Sequence, residues 1–326
     1  MQRSSQEYHK DLTFEDGDIV LCSKDGTHFR LFSQSLKVAS GFFRDMFTLP
    51  QPNTRTDKPD IIQLEESREV LERLFGLMCG LPVGYCDAGS LELIEDILNA
   101  AEKYEMPGPA AYFRALMRPR VTGKPSPLLQ TPLRLYRISC RHRWIEEAKA
   151  AATLTLALDF EEPQHRPALH MLESRDLLRL LDLRRKRKNV LKKYLEDSRK
   201  FPFGKDADIF ACQHCQAGLP ALNLVWKDVK AEILEEMERR PLGDTLTVFT
   251  PPCSRFFAKM SRAAACHACT NANGDLLSVF DHIRRCITTL PSSIDLSFDD
   301  DGSSHRQIHG LKGLNHSKGA LDSGIC

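Results

Sequence analysis

Between positions 16 and 47 the apolar pattern of the chain changes period once. Two short runs rich in Ile, Val, Leu, Phe and Cys, 18–22 and 27–32, flank Lys24, Asp25 and Gly26. Asp-Gly is a preferred two-residue hairpin turn, because both central positions take positive φ. Such a turn sets Cys22 opposite Phe29 and Val20 opposite Leu31. Side chains alternate along a strand, so Val20, Cys22, Phe29 and Leu31 are expected on one buried face. Ile19, Leu21, Arg30 and Phe32 make the other, mixed face. After Phe32 the spacing becomes helical, with Leu36, Ala39 and Phe43 three and four apart. Ser33 is the expected N-cap. Ser40-Gly41 interrupts the helix, and Ser40 is placed to cap a second one over 42–47. Phe42, Phe43, Met46 and Phe47 then cluster, more as core than as a partner surface. The polar stretch 49–59 is the alternative contact loop.

Further on, 60–64 reads as a short strand. It leads into a helix with Val70, Leu71, Leu74, Phe75 and Met78 on one side. Pro82 and Gly84 break that helix. Ser90 starts another, with Leu93, Ile94, Ile97, Leu98 and Ala101 inward, and 106–108 stops it before a short helix over 110–117. The order is strand, strand, helix, helix, strand, then three helices. Residues 119–132, rich in Pro, Gly, Ser and Thr, read as a linker. Beyond it the spacing is helical. Trp144, Ile145, Ala148, Ala152 and Leu156 suit one helix. Ser174 caps a long one carrying Leu177, Leu178, Leu181, Val190 and Leu191. Pro220 sits in the first turn of a helix holding Trp226, Val229, Ile233 and Met237, which Pro241 ends. Helices are also expected over 253–265 and 275–290. The tail from 291 has few large apolar residues, so disorder is expected there.

The first third resembles the BTB/POZ domain over 14 to about 117. Asp18-Ile19-Val20-Leu21 is similar to that family's opening strand. Residues 39–47 (Ala39-Ser40-Gly41-Phe42-Phe43-Arg44-Asp45-Met46-Phe47) are similar to its "S-x-F-F-R-x-M-F" element. Ile62-Gln63-Leu64 with Val70-Leu71 resembles its third strand and following helix, and Ala100-Ala101-Glu102-Lys103-Tyr104 its "AA-x-K-Y" helix. The whole chain is similar to fungal BTB proteins in which a helical region follows the domain. The resemblance implies an α+β chain: an N-terminal BTB/POZ domain, a small sheet flanked by helices, then a mostly α-helical C-terminal domain. The layout is a flexible terminus 1–13, the BTB domain 14–118, a linker 119–132, a helical domain 133–290 and a tail 291–326. It also implies protein partners and a homodimer through the first strand and first helix, with Phe14, Asp18, Phe32, Phe42, Phe43 and Met46 as partner-binding residues. Many members carry a His-Lys pair where this chain has Phe32-Ser33. That argues against the charged co-repressor groove of the transcription-factor branch.

Lys+Arg and Asp+Glu number 45 and 44, for a net charge of +1, unlike a dedicated nucleic-acid binder. No apolar run is long enough to span a membrane. The polar first residues lack the apolar core of a signal peptide. An intracellular protein, cytoplasmic or nuclear, is therefore expected. Its 11 cysteines then raise a metal question rather than a disulfide one. Cys212/Cys215 and Cys266/Cys269 are two C-x-x-C pairs, each able to give two thiolates to a tetrahedral Zn²⁺. If the helices between them are antiparallel, both pairs lie at one end and a closed, structural four-cysteine site forms. His214, His267 and Cys253 are spare ligands. The run Arg184-Arg185-Lys186-Arg187-Lys188, with Lys192-Lys193, is a nuclear-localisation or anion-binding candidate; as a solvated helix face it needs no function. Asp299-Asp300-Asp301 reads as an unstructured acidic run.

Phosphate-loop, dinucleotide, hydrolase-elbow and zinc-protease signatures are missing from the sequence, so a non-catalytic interaction protein is expected. A substrate adaptor of a cullin-based ubiquitin ligase is the alternative that the resemblance allows, although no Kelch, ankyrin or MATH-like segment is recognisable. A transcription or chromatin regulator using the cysteine pairs and the basic run is the third reading. Near-zero net charge and the absence of a known DNA-reading finger spacing weigh against it.

Overall fold

The computed structural model describes residues 7–49, 61–81, 91–117, 130–197, 220–246, 250–263 and 276–296. Residues 1–295 form one unit and 296–326 another. All the described strands and helices belong to the first. Strand β2 (Ile19–Cys22) pairs antiparallel with β3 (Thr27–Leu31). On the far side of β3 lies β1 (Glu7–Thr13), parallel to it, and on the far side of β2 lies β4 (Ile61–Gln63), parallel to β2. The sheet is therefore mixed, in the order β1-β3-β2-β4, and the fold is α+β.

The hairpin register differs from the expected one by a residue. Ile19 faces Leu31, Leu21 faces Phe29 and Cys22 faces His28. The Ser23 amide donates to the Thr27 carbonyl, and the Gly26 amide to the Ser23 carbonyl. The loop is thus three residues long. Only Gly26 takes positive φ, +86°, which is the turn-plus-left-handed-glycine form rather than the two-residue one. Asp25 explains the choice. Its carboxylate accepts from the Ser23 hydroxyl and from the Arg68 amide at 3.0 and 3.1 Å, at the N-terminus of α3 (Arg68–Met78). A slip of one residue exchanges the faces. Ile19, Leu21, Phe29 and Leu31 now share one face, and Val20, Cys22, His28 and Arg30 the other.

Residues 7–13, expected as a flexible terminus, form β1. Only His9 and Leu12 turn inward, at 2% and 1% exposure, so the strand carries almost no apolar alternation. His9 stacks on Phe29 at 5.2 Å, a burial that hydropathy does not register. In helix α1 (Ser33–Ala39) the N-cap position is Phe32, not Ser33, and its side chain makes no capping bond. Helix α2 (Gly41–Met46) is capped by Ser40, as expected. Val70, Leu71, Leu74 and Phe75 of α3, and Ile94, Ile97, Leu98 and Ala101 of α4 (Leu91–Lys103), are buried. Helix α5 (Pro107–Leu116) starts at the proline expected only to stop α4.

Past 118–129 the chain is helical. Helix α6 (Pro132–Arg141) begins inside the expected linker and packs on α7 (Ile145–Thr155). A 3-10 turn, Pro163–His165, and α8 (Arg166–His170) follow, then α9 (Ser174–Glu196), α10 (Pro220–Arg239), α11 (Pro251–Ala263) and α12 (Leu276–Thr288). Leu191, Trp226, Val229, Ile233, Met237, Phe256, Met260 and Ile283 belong to the common core of the last four. Helices α10 and α11 are antiparallel: Glu236 accepts from Thr245 at the loop end, and Glu232 pairs with Lys259 further along α11. The chain stays anchored just beyond 290. Ile294 is buried, and the Ser292 carbonyl accepts from Thr153 at 2.6 Å.

The face of α9 is the one expected only near its C-terminal end, where Leu191 is buried and Val190 packs against the core. Leu178 and Leu181 are exposed, whereas Leu180, Leu183, Arg184, Arg187, Leu191 and Leu195 are buried. Arg184 donates to the carbonyls of Leu158 (3.0 Å), Glu238 (3.1 Å) and Arg239 (2.7 Å), and lies 3.9 Å above the Phe160 ring. Arg187 donates to Pro241 (2.7 Å), Leu242 (3.3 Å), Leu290 (3.2 Å) and Pro291 (2.7 Å). These carbonyls lie at and just beyond the C-terminal ends of α7, α10 and α12, where helices leave acceptors unpaired and partially negative. Burial pushes Arg184 down to about 10, still a cation near neutral pH. Two of the five cations of the basic run, Arg184 and Arg187, are therefore internal architecture rather than a solvated face.

Candidate interaction surface

The surface is built where the hairpin feeds α1 and α2. Asp18 accepts from the Ser33 amide and hydroxyl, both at 2.6 Å, at the start of α1. Slight burial opposes its charge, but the two Ser33 bonds outweigh it and hold the carboxyl below its ordinary value. Asp18 thus ties the beginning of β2 to α1 and orients the side chains around it. Phe14 and Phe32 meet with ring centroids 5.3 Å apart. Phe32 is 38% exposed and Val38 78%. Lys37 lies 5.5 Å from the Phe47 ring centre.

Ser40 does two things at the α1–α2 joint. Its hydroxyl donates to the Tyr104 carbonyl at 2.5 Å and accepts from the Phe43 amide at 3.1 Å. Phe43 stacks on Tyr104 at 5.3 Å and is fully buried. Phe42 touches the edges of both rings, at 5.3 and 5.4 Å, and remains 40% exposed. Tyr104 is fixed in turn by its hydroxyl bond to Glu66, beside Lys103 paired with Glu65 and Glu66. Burial and the Glu66 carboxylate raise the Tyr104 phenol, so it stays protonated and donating.

Of the six residues expected to bind a partner, Asp18, Phe32 and Phe42 are exposed, and Phe14 and Met46 half-buried. Phe43 is corrected to core: with no exposed area, it cannot touch a partner. Val38 is absent from that expectation. It stands two residues from buried Leu36, out of phase with the apolar face of a short helix, and that phase error is the signal available in the sequence. Cys212, Cys215, Cys266 and Cys269 lie outside the described residues, as do His214, His267 and the 299–301 acidic run. Cys253 is buried in the α9–α12 core, where burial pushes its thiol up to about 11; this does not suit a thiolate ligand. Among the described residues no group of three or more His, Cys, Asp or Glu is placed to hold a metal, and no helix is long and apolar enough to cross a membrane. No model of a known protein family matches the chain, and no curated protein sequence does.

Proposed function

We propose that the chain is a non-catalytic protein-interaction protein whose N-terminal half is a BTB/POZ-like module that associates with a second copy of itself. The observation that carries this reading is the exposure of three apolar side chains on and beside α1 and α2, Phe32, Val38 and Phe42, in a module that also exposes Tyr8, Leu49, Ile61 and Tyr112. Exposed apolar area rimmed by charge, here Asp18, Lys37 and Arg44, is what an interface presents before its partner arrives. The full-length protein should run as a dimer by size-exclusion chromatography with light scattering. Val38→Glu combined with Phe42→Ser should return it to monomer with unchanged circular dichroism. A strict monomer at high protein concentration would sink the self-association claim.

A structural zinc at Cys212, Cys215, Cys266 and Cys269 is part of the same proposal. What supports it is the antiparallel α10–α11 pair. The chain enters at Pro220 and leaves at Ala263 on the same end of that hairpin, five and three residues from the nearest cysteines. Four thiolates would close a tetrahedral site and leave no position for substrate. Freshly purified, reduced protein should hold about one zinc per chain; a value far below that defeats the site.

A further inference from the structure

The densest packing runs within each half of the first unit: α6 with α7, α3 with α4, α4 with α5, and α9 with α10. Among the described residues no element of 7–117 is closely packed on one of 130–295, although both belong to one compact unit, and long charged side chains span the junction. Arg134 of α6 pairs with Glu92 of α4 at 2.5 Å, and Arg137 of α6 with Glu95 of α4. Arg114 of α5 grips Glu147 of α7 through two bonds of 3.0 Å each, with its guanidinium 5.8 Å from the Trp144 ring centre. Beside them lies a cleft of about 140 Å³ lined by Glu95, Asn99, Arg137, Arg141, His142 and Asp176. The Asn99 side-chain oxygen is buried without a hydrogen-bond partner. A polar cleft with an unbonded amide oxygen is not a tightly packed seam.

Charge holds such a joint differently from apolar packing. Glu147 is only 2% exposed at its side chain, so its carboxylate is desolvated and the two bonds from Arg114 offset part of that cost. Glu92 is exposed and Arg134 half-buried, so salt screens their attraction. We propose that the junction is a charge-operated clasp: the two halves undock as intact bodies when Glu92–Arg134, Glu95–Arg137 and Arg114–Glu147 are screened or displaced. Ionic strength, or a partner whose charges compete for these side chains, then sets whether the helical half is held against the N-terminal module. The clasp is independent of self-association, because its readout lies within one chain.

The test is a full-length protein with a specific protease site inserted between 118 and 129 and a tag on the N-terminal half. After cleavage, the helical half should be retained at about 0.05 M salt and bind at least about tenfold more weakly at about 0.5 M. Arg134→Glu should lower retention at low salt, and Glu92→Arg added to it should restore retention. Circular dichroism of both nicked and uncut protein should stay constant across the salt range. Retention indifferent to salt and to Arg134→Glu overturns the clasp, as does separation at every salt concentration. Failure of the double variant to restore binding removes Glu92–Arg134 from it. Loss of helix signal in step with separation overturns it too, because the halves would then be unfolding rather than undocking.

Discussion

Arg184 and Arg187 sit one helical turn apart in a run of five cations, and both are buried. Guanidinium makes this possible. It offers five donors in a planar fork, so one side chain satisfies carbonyls from several elements at once. Their neighbours behave as surface charge: Arg185 pairs with Asp182 and Lys188 with Glu238. Arg187→Ala should therefore lower stability by roughly 3 kcal/mol, because buried carbonyls at two helix ends lose their donors. Arg187→Lys should recover little, since an ammonium cannot span the same acceptors. Arg185→Ala should change stability by no more than about 0.5 kcal/mol. Urea unfolding midpoints of the three variants measure this, and equal effects at 185 and 187 would contradict it. Composition and spacing count all five cations alike, because nothing local to α9 says which of them other helices will cover.

At the scale of elements, α2 shows a short helix held by its ends rather than by its length. Six residues are too few to be stable alone. Ser40 supplies the cap and also the bond to Tyr104 at the end of α4. Ser40→Ala should cost about 1–2 kcal/mol, the cap with the added buried acceptor, whereas Ser35→Ala on the exposed side of α1 should stay within about 0.5 kcal/mol. A denaturation midpoint for Ser40→Ala indistinguishable from the parent would show that Phe43 packing alone fixes α2. This cap is legible because a Ser at the break between two apolar runs has a local meaning. The strands are less so. β1 is invisible to hydropathy because, of its two inward positions, His9 and Leu12, only Leu12 is aliphatic. The hairpin register is lost because Asp25 answers to Arg68, 43 positions away in sequence, rather than to the turn alone.

For the whole molecule, one consequence is that the two proposed interactions occupy different places. The exposed apolar side chains lie on and beside α1 and α2, and the ion pairs of the clasp lie on α4, α5, α6 and α7. A partner bound at the first is therefore carried by a module whose docking to the helical half is set by the second. The proposed zinc belongs to the helical half alone. Chelation should lower the melting temperature of that half while leaving dimerisation in place, and loss of the dimer on chelation would place the self-association surface elsewhere.

Local patterns alone determined most of the helices. Their apolar periods, prolines and caps are local signals, and the buried faces of α3 and α4 came out as the spacing predicted. The α+β class, which the resemblance implied, agrees with the mixed sheet and the helices around it. Tertiary structure alone decided which residues face one another across the hairpin, that residues 7–13 join the sheet, that Phe43 is core while Val38 is exposed, and that Arg184 and Arg187 are internal. Each of those outcomes depends on a partner far along the chain: Phe29 for His9, Arg68 for Asp25, Tyr104 for Phe43, and the ends of α7, α10 and α12 for the arginines. Period and propensity describe a residue with its near neighbours, and burial is settled by whatever the folded chain brings against it.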